Sequence, residues 1–363
     1  MYIAKKYNSD SDVIYTFDYC MANSLYTFKT VALYANTGEY VSEDVLRPYD
    51  QLVLSSTVTD NIGPAGLRID GLGYWTGGNH LFTDSLGIKH KTAKTIDVEI
   101  SVNDSVMTND FSCYAPEIKI IVSNNLYFPP ELPEKNICIK ENVEYTVDVS
   151  GIRVFSNHNI FRKIYITNYY GMQSAGSALQ EKIFMINSQY QNEINKEDGL
   201  QSGPITSYPN VYKTILSDSL KTICQEMMIN MQEGLFSNPD TYIVSPSSFS
   251  RVFTSGSKTY FNQIRGKQFY QGDNYFWKGR YSWYDMNEYC VCSPESVLIS
   301  SDGQSNKIIW DDSPGAETYK IYRSTDPYSG FVVLGSVSVP EFTDMDISGS
   351  DMYFYRITAK HSQ

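Results

Sequence analysis

The sequence predicts an all-β protein: a large antiparallel β-sandwich or jelly roll, followed by a small sandwich at the C-terminal end. Three observations carry that expectation. Apolar and polar residues alternate in run after run, which is the two-residue period of a strand with one wet face. The 363 residues include 30 Tyr and 17 Phe, side chains that favour pleated, half-buried surfaces. Between the runs lie clusters of Pro, Gly, Asn, Asp and Ser, which fix or invert φ and cap the backbone locally, so the chain turns there.

At this length two or three domains are expected, and the sequence divides into residues 1–60, 61–290 and 294–363. The first part holds strand-like runs at 12–18, 26–34 and 51–54, with 40–49 as loop or edge around Arg47-Pro48,. It forms either a unit of its own or the first strands of the next. From about residue 60 to 175 the strand signal is dense, at 92–102, 116–122, 143–149 and 162–168. Consecutive antiparallel strands with polar turns build a sandwich. The polar stretch 191–203 is expected as a surface loop. Residues 214–232 make the best helix candidate: Ile215, Leu220, Ile223, Met227, Met228 and Met231 fall near helical spacing, and Gly234 offers a stop,. Strand runs return at 242–244, 259–264 and 274–283, and 286–293 reads as a linker. No internal repeat and no low-complexity tract is present.

The C-terminal part alternates at 306–310, 317–323, 331–337 and 352–359, with turns at 311–315, 324–327 and 344–349. Trp310, the run Ala316-Glu317-Thr318-Tyr319-Lys320-Ile321-Tyr322-Arg323 and the run Tyr353-Phe354-Tyr355-Arg356-Ile357-Thr358-Ala359 carry a resemblance to a fibronectin type III domain. The resemblance implies Trp310 in the second strand and an abbreviated first strand near 295–299. It also implies that Tyr353 is a corner tyrosine, its hydroxyl on nearby backbone and its ring in the core. Such modules space and present, and the fold alone assigns no activity.

Charge narrows the function classes. Charged residues make up 19% of the chain and the formal net charge is −12. That argues against nucleic-acid binding through phosphates and against docking on anionic membranes. No basic stripe appears along the sequence. Six cysteines are scattered, at Cys20, Cys113, Cys138, Cys224, Cys290 and Cys292. Only the last two are close, and on a strand they point to opposite faces. No second pair stands at zinc spacing, so buried free thiols are expected, with no metal and no cofactor. No phosphate loop and no nucleophile-elbow motif is present. The opening residues lack the apolar run of a signal peptide, and no run approaches a membrane helix. The chain is expected to fold in a reducing cytoplasm.

The sharpest local motif is Gly73-Tyr74-Trp75-Thr76-Gly77-Gly78-Asn79-His80, introduced by Asp60-Asn61-Ile62-Gly63-Pro64. Gly77-Gly78 permits a tight backbone path. Asn79 and His80 then place an amide beside an imidazole, and Tyr74 and Trp75 offer faces for sugar C–H surfaces. The motif reads as a glycan cleft, or as a glycine-bent turn with a structural tryptophan, the commoner use of such turns. Two further stretches go with it: Asn168-Tyr169-Tyr170-Gly171-Met172-Gln173, and residues 258–264 leading into 272–279. Together, over residues 60–285, they resemble phage tail and prophage proteins in which a lectin-like or lyase-like sandwich follows a fibre or baseplate segment.

That resemblance implies a virion component, assembled in the host cytoplasm, that touches cell-surface glycans. Other virion proteins and further copies of the chain are the implied partners. The glycan-binding candidates are Tyr74, Trp75, Asn79, His80 and Gln173. A polysaccharide lyase on the same scaffold needs a group to neutralise a uronate, a base and an acid. His80, Asn79, Arg153 and Tyr169, with His158 and Gln173, supply candidates. A glycosidase needs two facing carboxylates, and Asp97 with Glu99 reads instead as the wet face of a strand. Asp344-x-Asp346-x-Ser348-Gly349 hints at calcium, but its twelfth position is Tyr355 rather than Glu, and an inter-strand loop is expected there,. The leading expectation is a structural or adhesive virion protein. The rivals are a glycan-degrading enzyme and an internal connector without a ligand.

Overall fold

The computed structural model describes residues 1–7, 11–35, 52–56, 63–69, 72–111, 113, 115–128, 137–148, 151–175, 182–186, 191–195, 203–204, 210–220, 223–243, 252–255, 258–284, 294, 297–311, 316–326, 331–350 and 352–360. The architecture is all-β, with antiparallel pairing throughout the named strands. The chain opens with β1 (Tyr2–Lys6), β2 (Ser11–Cys20), β3 (Leu25–Ala35) and β4 (Leu52–Ser56), which form a four-stranded sheet in that order. There follow the short strands β5 (Ala65–Ile69), β6 (Leu72–Thr76), β7 (Leu81–Thr83) and β8 (Lys89–Lys91), then β9 (Ala93–Val102) and β10 (Ser105–Val106). Four long strands come next: β11 (Ile118–Tyr127), β12 (Ile137–Asp148), β13 (Gly151–Ile160) and β14 (Ile164–Ala175). After them run β15 (Lys182–Ile186), β16 (Gln191–Asn195), β17 (Gly203–Pro204), β18 (Lys213–Ser217) and β19 (Cys224–Ile229). One helical turn, α1 (Pro239–Tyr242), precedes β20 (Val252–Ser255), β21 (Lys258–Phe269) and β22 (Asn274–Tyr284).

Two large sheets result. A ten-stranded sheet runs β10-β9-β11-β12-β13-β22-β19-β18-β15-β16, and a six-stranded sheet runs β17-β20-β21-β14-β5-β6. Alternation decides which face of each is inside. On β13 Ile152, Val154, Ser156, His158 and Ile160 are buried, whereas Arg153 between them is exposed. Their register partners on β22, including Tyr275, Trp277 and Tyr281, are buried on the same face. That face is covered side by side by the other two sheets. Trp283 and Tyr145 meet Tyr15 and Phe17 of the N-terminal sheet, at ring separations of 5.4 and 5.5 Å. Trp277 donates its indole N–H to Tyr169 of β14 at 2.9 Å. One continuous core therefore takes in residues of all three sheets. The close approach of β14 to β22 needs Gly279, where a Cβ would meet the Met172 sulfur and the Met228 carbonyl,.

The helix expected over 214–232 is absent. The segment is the hairpin of β18 and β19, whose turn is capped by Asp218 Oδ1 accepting the Ile223 N–H at 2.9 Å. All five β18 residues are buried, as are five of the six in β19. A strand buried on both faces has no two-residue signature, and here buried Lys213, Thr214, Ser217, Gln225 and Glu226 interrupt the apolar positions, which then fall near helical spacing. Leu220, assigned to the helical stripe, is 73% exposed in the turn. The polar stretch 191–203 is not all loop either: its first five residues form β16 at the sheet edge, paired with β15. Ile243, expected within a strand, follows α1 and makes a single parallel bridge to Arg265. Cys20, Cys138 and Cys224 are buried thiols, and burial pushes Cys138 up to about 12. Cys113 is exposed, against expectation. Residues 40–49 and 286–293, with Cys290 and Cys292, lie outside the described residues.

The C-terminal strands are β23 (Leu298–Ser301), β24 (Asn306–Ile309), β25 (Thr318–Ser324), β26 (Val332–Val337), β27 (Glu341–Asp344) and β28 (Phe354–Lys360). They form two three-stranded sheets, β23-β24-β27 and β26-β25-β28. Ile308, Trp310, Tyr319, Ile321, Ile357 and Ala359 form the core of this part. The Tyr353 hydroxyl accepts the Gly349 N–H at 3.0 Å, as a corner tyrosine does,. Its ring is only half-buried, however, and lies 4.6 Å from the Arg323 guanidinium rather than inside the core. The same arginine pairs with Asp344 at 2.9 Å, and Tyr355 donates to that carboxylate at 2.7 Å. The cation of this acidic loop is thus a side chain of the chain itself.

Candidate functional site

Residues 73–80 form most of β6 and the turn after it. Gly77 and Gly78 have φ of 83° and 51°, a region costly for residues with a Cβ,. Asn23, buried in the β2–β3 turn, holds this path from below. Its Nδ2 donates to the carbonyls of Gly78 and His80 at 2.7 and 3.1 Å, while its Oδ1 accepts the Thr92 N–H at 2.7 Å. The Asn79 carboxamide oxygen accepts the Ala22 N–H at 3.0 Å. These bonds join the turn to the N-terminal sheet, so Asn79 serves first as a structural anchor.

Tyr74 and Trp75 lie on opposite faces of β6, as adjacent strand residues must. Tyr74 turns inward and meets Phe82 and Phe128 edge-on at 5.5 and 5.6 Å. Trp75 turns outward and lies across Gly66 of β5, where a Cβ would only touch the indole but would collide with the Thr167 hydroxyl. Its ring is sandwiched between His80 at 5.2 Å and Tyr170 at 5.5 Å, with interplanar angles of 21° and 16°. Tyr260 of β21 continues the row, 4.7 Å from Tyr170. Four half-buried rings therefore stand in line on the outer face of the six-stranded sheet. Both faces of Trp75 are occupied, so the row presents ring edges and its two terminal rings. Burial, helped by the nearby Lys258 charge, lowers the His80 pKa, which favours the neutral imidazole,.

The remaining candidates lie elsewhere. Tyr169 is fully buried between the sheets, where its hydroxyl lies 3.2 Å from His158 Nε2 and accepts the Trp277 N–H. His158 Nε2 also meets Glu141 at 3.0 Å, and Asn124 donates to that carboxylate at 2.8 Å. Burial drives the Tyr169 phenol well above its ordinary pKa, which makes it a poor proton donor to any substrate,. Arg153 is exposed on the opposite face of β13 and pairs with Glu117 and Asp148 at 2.8 and 2.9 Å. Gln173 is buried, and its backbone N–H and carbonyl both bond the Tyr281 hydroxyl. His80, Arg153 and Tyr169 thus sit in three separate environments. Asp97 and Glu99 are both exposed on β9. Among the described residues, no group of three or more His, Cys, Asp or Glu could hold a metal ion, and no helix is long and apolar enough to cross a membrane.

Sequence reasoning missed a gathering of basic residues. The strands of the six-stranded sheet contain Arg68, Lys258, Arg265 and Lys267 and no Asp or Glu. Arg68 of β5 pairs in register with Tyr165 of β14, which pairs with Gln268 of β21. With Arg162 and Lys163 from the turn before β14, this row lines an open cleft of about 600 Å³. The absence of a basic stripe along the sequence is therefore no guide to the surface: pairing unites cations that are about a hundred residues apart.

No protein-family model matches the chain, and no curated protein matches it. Among solved structures it is similar to the galactosidase domain of an alpha-galactosidase–sucrose kinase, at 10% identity and TM-score 0.40 over 77% of this chain and 40% of that one. It is similar to an alpha-galactosidase from Lactobacillus brevis, at 9% identity and TM-score 0.40 over 79% and 40% of the two chains. A galactose mutarotase-like protein from Lactobacillus casei matches at 6% identity and TM-score 0.30, over 78% of this chain and all of that one. The chain thus spans about 40% of the two galactosidases. Likeness this distant assigns neither family nor activity.

Proposed function

We propose that this chain is a non-catalytic, adhesive component of a phage virion that binds cell-surface glycans on the outer face of its six-stranded sheet. The virion part of the reading rests on the resemblance carried by residues 60–285, and the C-terminal sandwich fits a spacing or presenting role. The glycan part rests on one observation: His80, Trp75, Tyr170 and Tyr260 form a contiguous, half-buried row on an open strand face. Rings of this kind offer apolar area to sugar C–H groups at low entropic cost. The candidates for lyase chemistry do not share a cleft, so the same surface supports binding without a reaction centre. Weak sites of this type gain strength through avidity when copies are arrayed, which favours a homo-oligomer assembled with other virion proteins.

A glycan array probed with the purified chain tests the binding reading. Saccharide binding that is lost in Trp75→Ala and Tyr260→Ala, with folding intact, is the expected result. Release of unsaturated uronides, followed by ultraviolet absorbance and abolished by His80→Ala, would contradict it in favour of a lyase. Immunogold labelling of purified particles tests the virion assignment, which an unlabelled particle surface and interior would overturn.

A further inference from the structure

We propose that the saccharide is acidic, and that the cleft of Arg68, Arg162, Lys163, Tyr165 and Gln268 holds its carboxylate or phosphate group. The proposal rests on the glycan reading and specifies its ligand.

Charge distribution is the first ground. The chain carries a net charge of −12, which repels anions at long range,. The strands of the six-stranded sheet nevertheless hold four cations and no carboxylate. The facing ten-stranded sheet mixes both signs, with Asp97, Glu99 and Glu144 among its acids and Lys94, Lys119 and Arg153 among its bases. An acid-free sheet is therefore a local feature of this surface and does not follow from composition.

Register is the second ground. Arg68, Tyr165 and Gln268 are directly opposed across three neighbouring strands, so their side chains leave the same face about 5 Å apart,. Trp75 shares that face. It pairs with Gly66, and Arg68 lies two residues further along β5, about 7 Å away along the strand,. A short oligosaccharide lying against the aromatic row reaches the cleft without leaving the sheet.

Availability is the third. Among the described residues, Arg68 makes no ion pair, and Lys163 touches only the Tyr270 ring, 5.9 Å from its centroid. Both are exposed. The guanidinium fork matches the oxygen pairs of carboxylate and phosphate, while the ammonium acts as a point charge. Polynucleotide binding is the less favoured occupant, because it draws on a longer track of phosphate contacts than this cleft supplies.

Calorimetry on the full chain tests the proposal with matched ligands. The probes are oligogalacturonate, its methyl ester, a glycerol-phosphate oligomer and an oligothymidylate. The free acid is expected to bind about tenfold more tightly than the neutral ester, a difference of about 1.4 kcal/mol. That preference is expected to weaken with added salt. Arg68→Gln combined with Lys163→Gln is expected to erase it while ester binding persists. The galacturonate and glycerol-phosphate arms show which anion the cleft prefers. Equal binding of acid and ester, or a preference that survives the double variant, overturns the charge assignment and leaves the glycan reading standing. No binding of either saccharide overturns both. Oligothymidylate binding more tightly than every saccharide identifies the surface as a nucleic-acid site and overturns the proposal.

Discussion

The two large sheets share one core, and each gathers a connected cluster of side chains on a different side of it. The ten-stranded sheet turns polar groups inward: Glu141, His158 and Asn124 are all at most 2% exposed and bond one another beneath Trp277 and Tyr275. The six-stranded sheet also buries Gln173, Asn262 and Gln263, but on its outward side Arg68, Trp75, Tyr165 and Tyr170 share a face. A buried polar network fixes how layers pack and is costly to break. An outward row leaves its side chains open to a ligand at little cost to folding. Titratable side chains in a core are therefore poor guides to chemistry here, although His158 and Tyr169 together look like a reaction pair.

The largest expected effect falls in the core. Trp277→Ala opens a cavity and removes the Tyr169 hydrogen bond, and is expected to lower unfolding free energy by about 3–5 kcal/mol in urea titration. Trp75→Ala is expected to cost far less. Equal losses would erase the distinction between the sheets. His158→Ala leaves the Glu141 carboxylate buried with one fewer partner, and a loss of about 3 kcal/mol is expected. Asn23→Ala removes the bonds that hold the Gly77–Gly78 path, at about 1–3 kcal/mol. It is also expected to weaken saccharide binding by releasing His80 from the row, which calorimetry would detect.

A smaller effect is expected from acid. Glu226 is buried, which alone would raise its pKa, but the charges of Lys213 and Arg280 outweigh burial and hold it below the usual range. A carboxyl lowered in the folded state stabilises the fold above its unfolded value, about 4.5, and that contribution is lost as pH falls through the folded value. Calorimetric Tm should therefore fall below that pH. Arg153→Ala should be the mildest change. Its side chain is 52% exposed, and pairs of that kind contribute about 0–1 kcal/mol. Loss of several kcal/mol there would mean that the outer face of the ten-stranded sheet is not a solvated surface.

Sequence patterning revealed the elements whose two faces differ. β9, β11, β12, β14 and β22 are legible because one side is wet, and the Gly77–Gly78 turn is legible because few other residues accept its φ values. The β18–β19 hairpin was hidden because both of its faces are buried. Tyr74 and Trp75 looked like one platform, yet strand alternation sends them to opposite sides. The basic cleft could not be read at all, since it depends on the register that brings residues 68, 165 and 268 together.

Hydrogen–deuterium exchange of the full chain, with and without a saturating acidic oligosaccharide, tests the central claim most directly. Protection confined to 65–80, 162–170 and 258–269 is the expected footprint. Protection centred on 141, 158 and 169, or on the C-terminal sandwich, would contradict it.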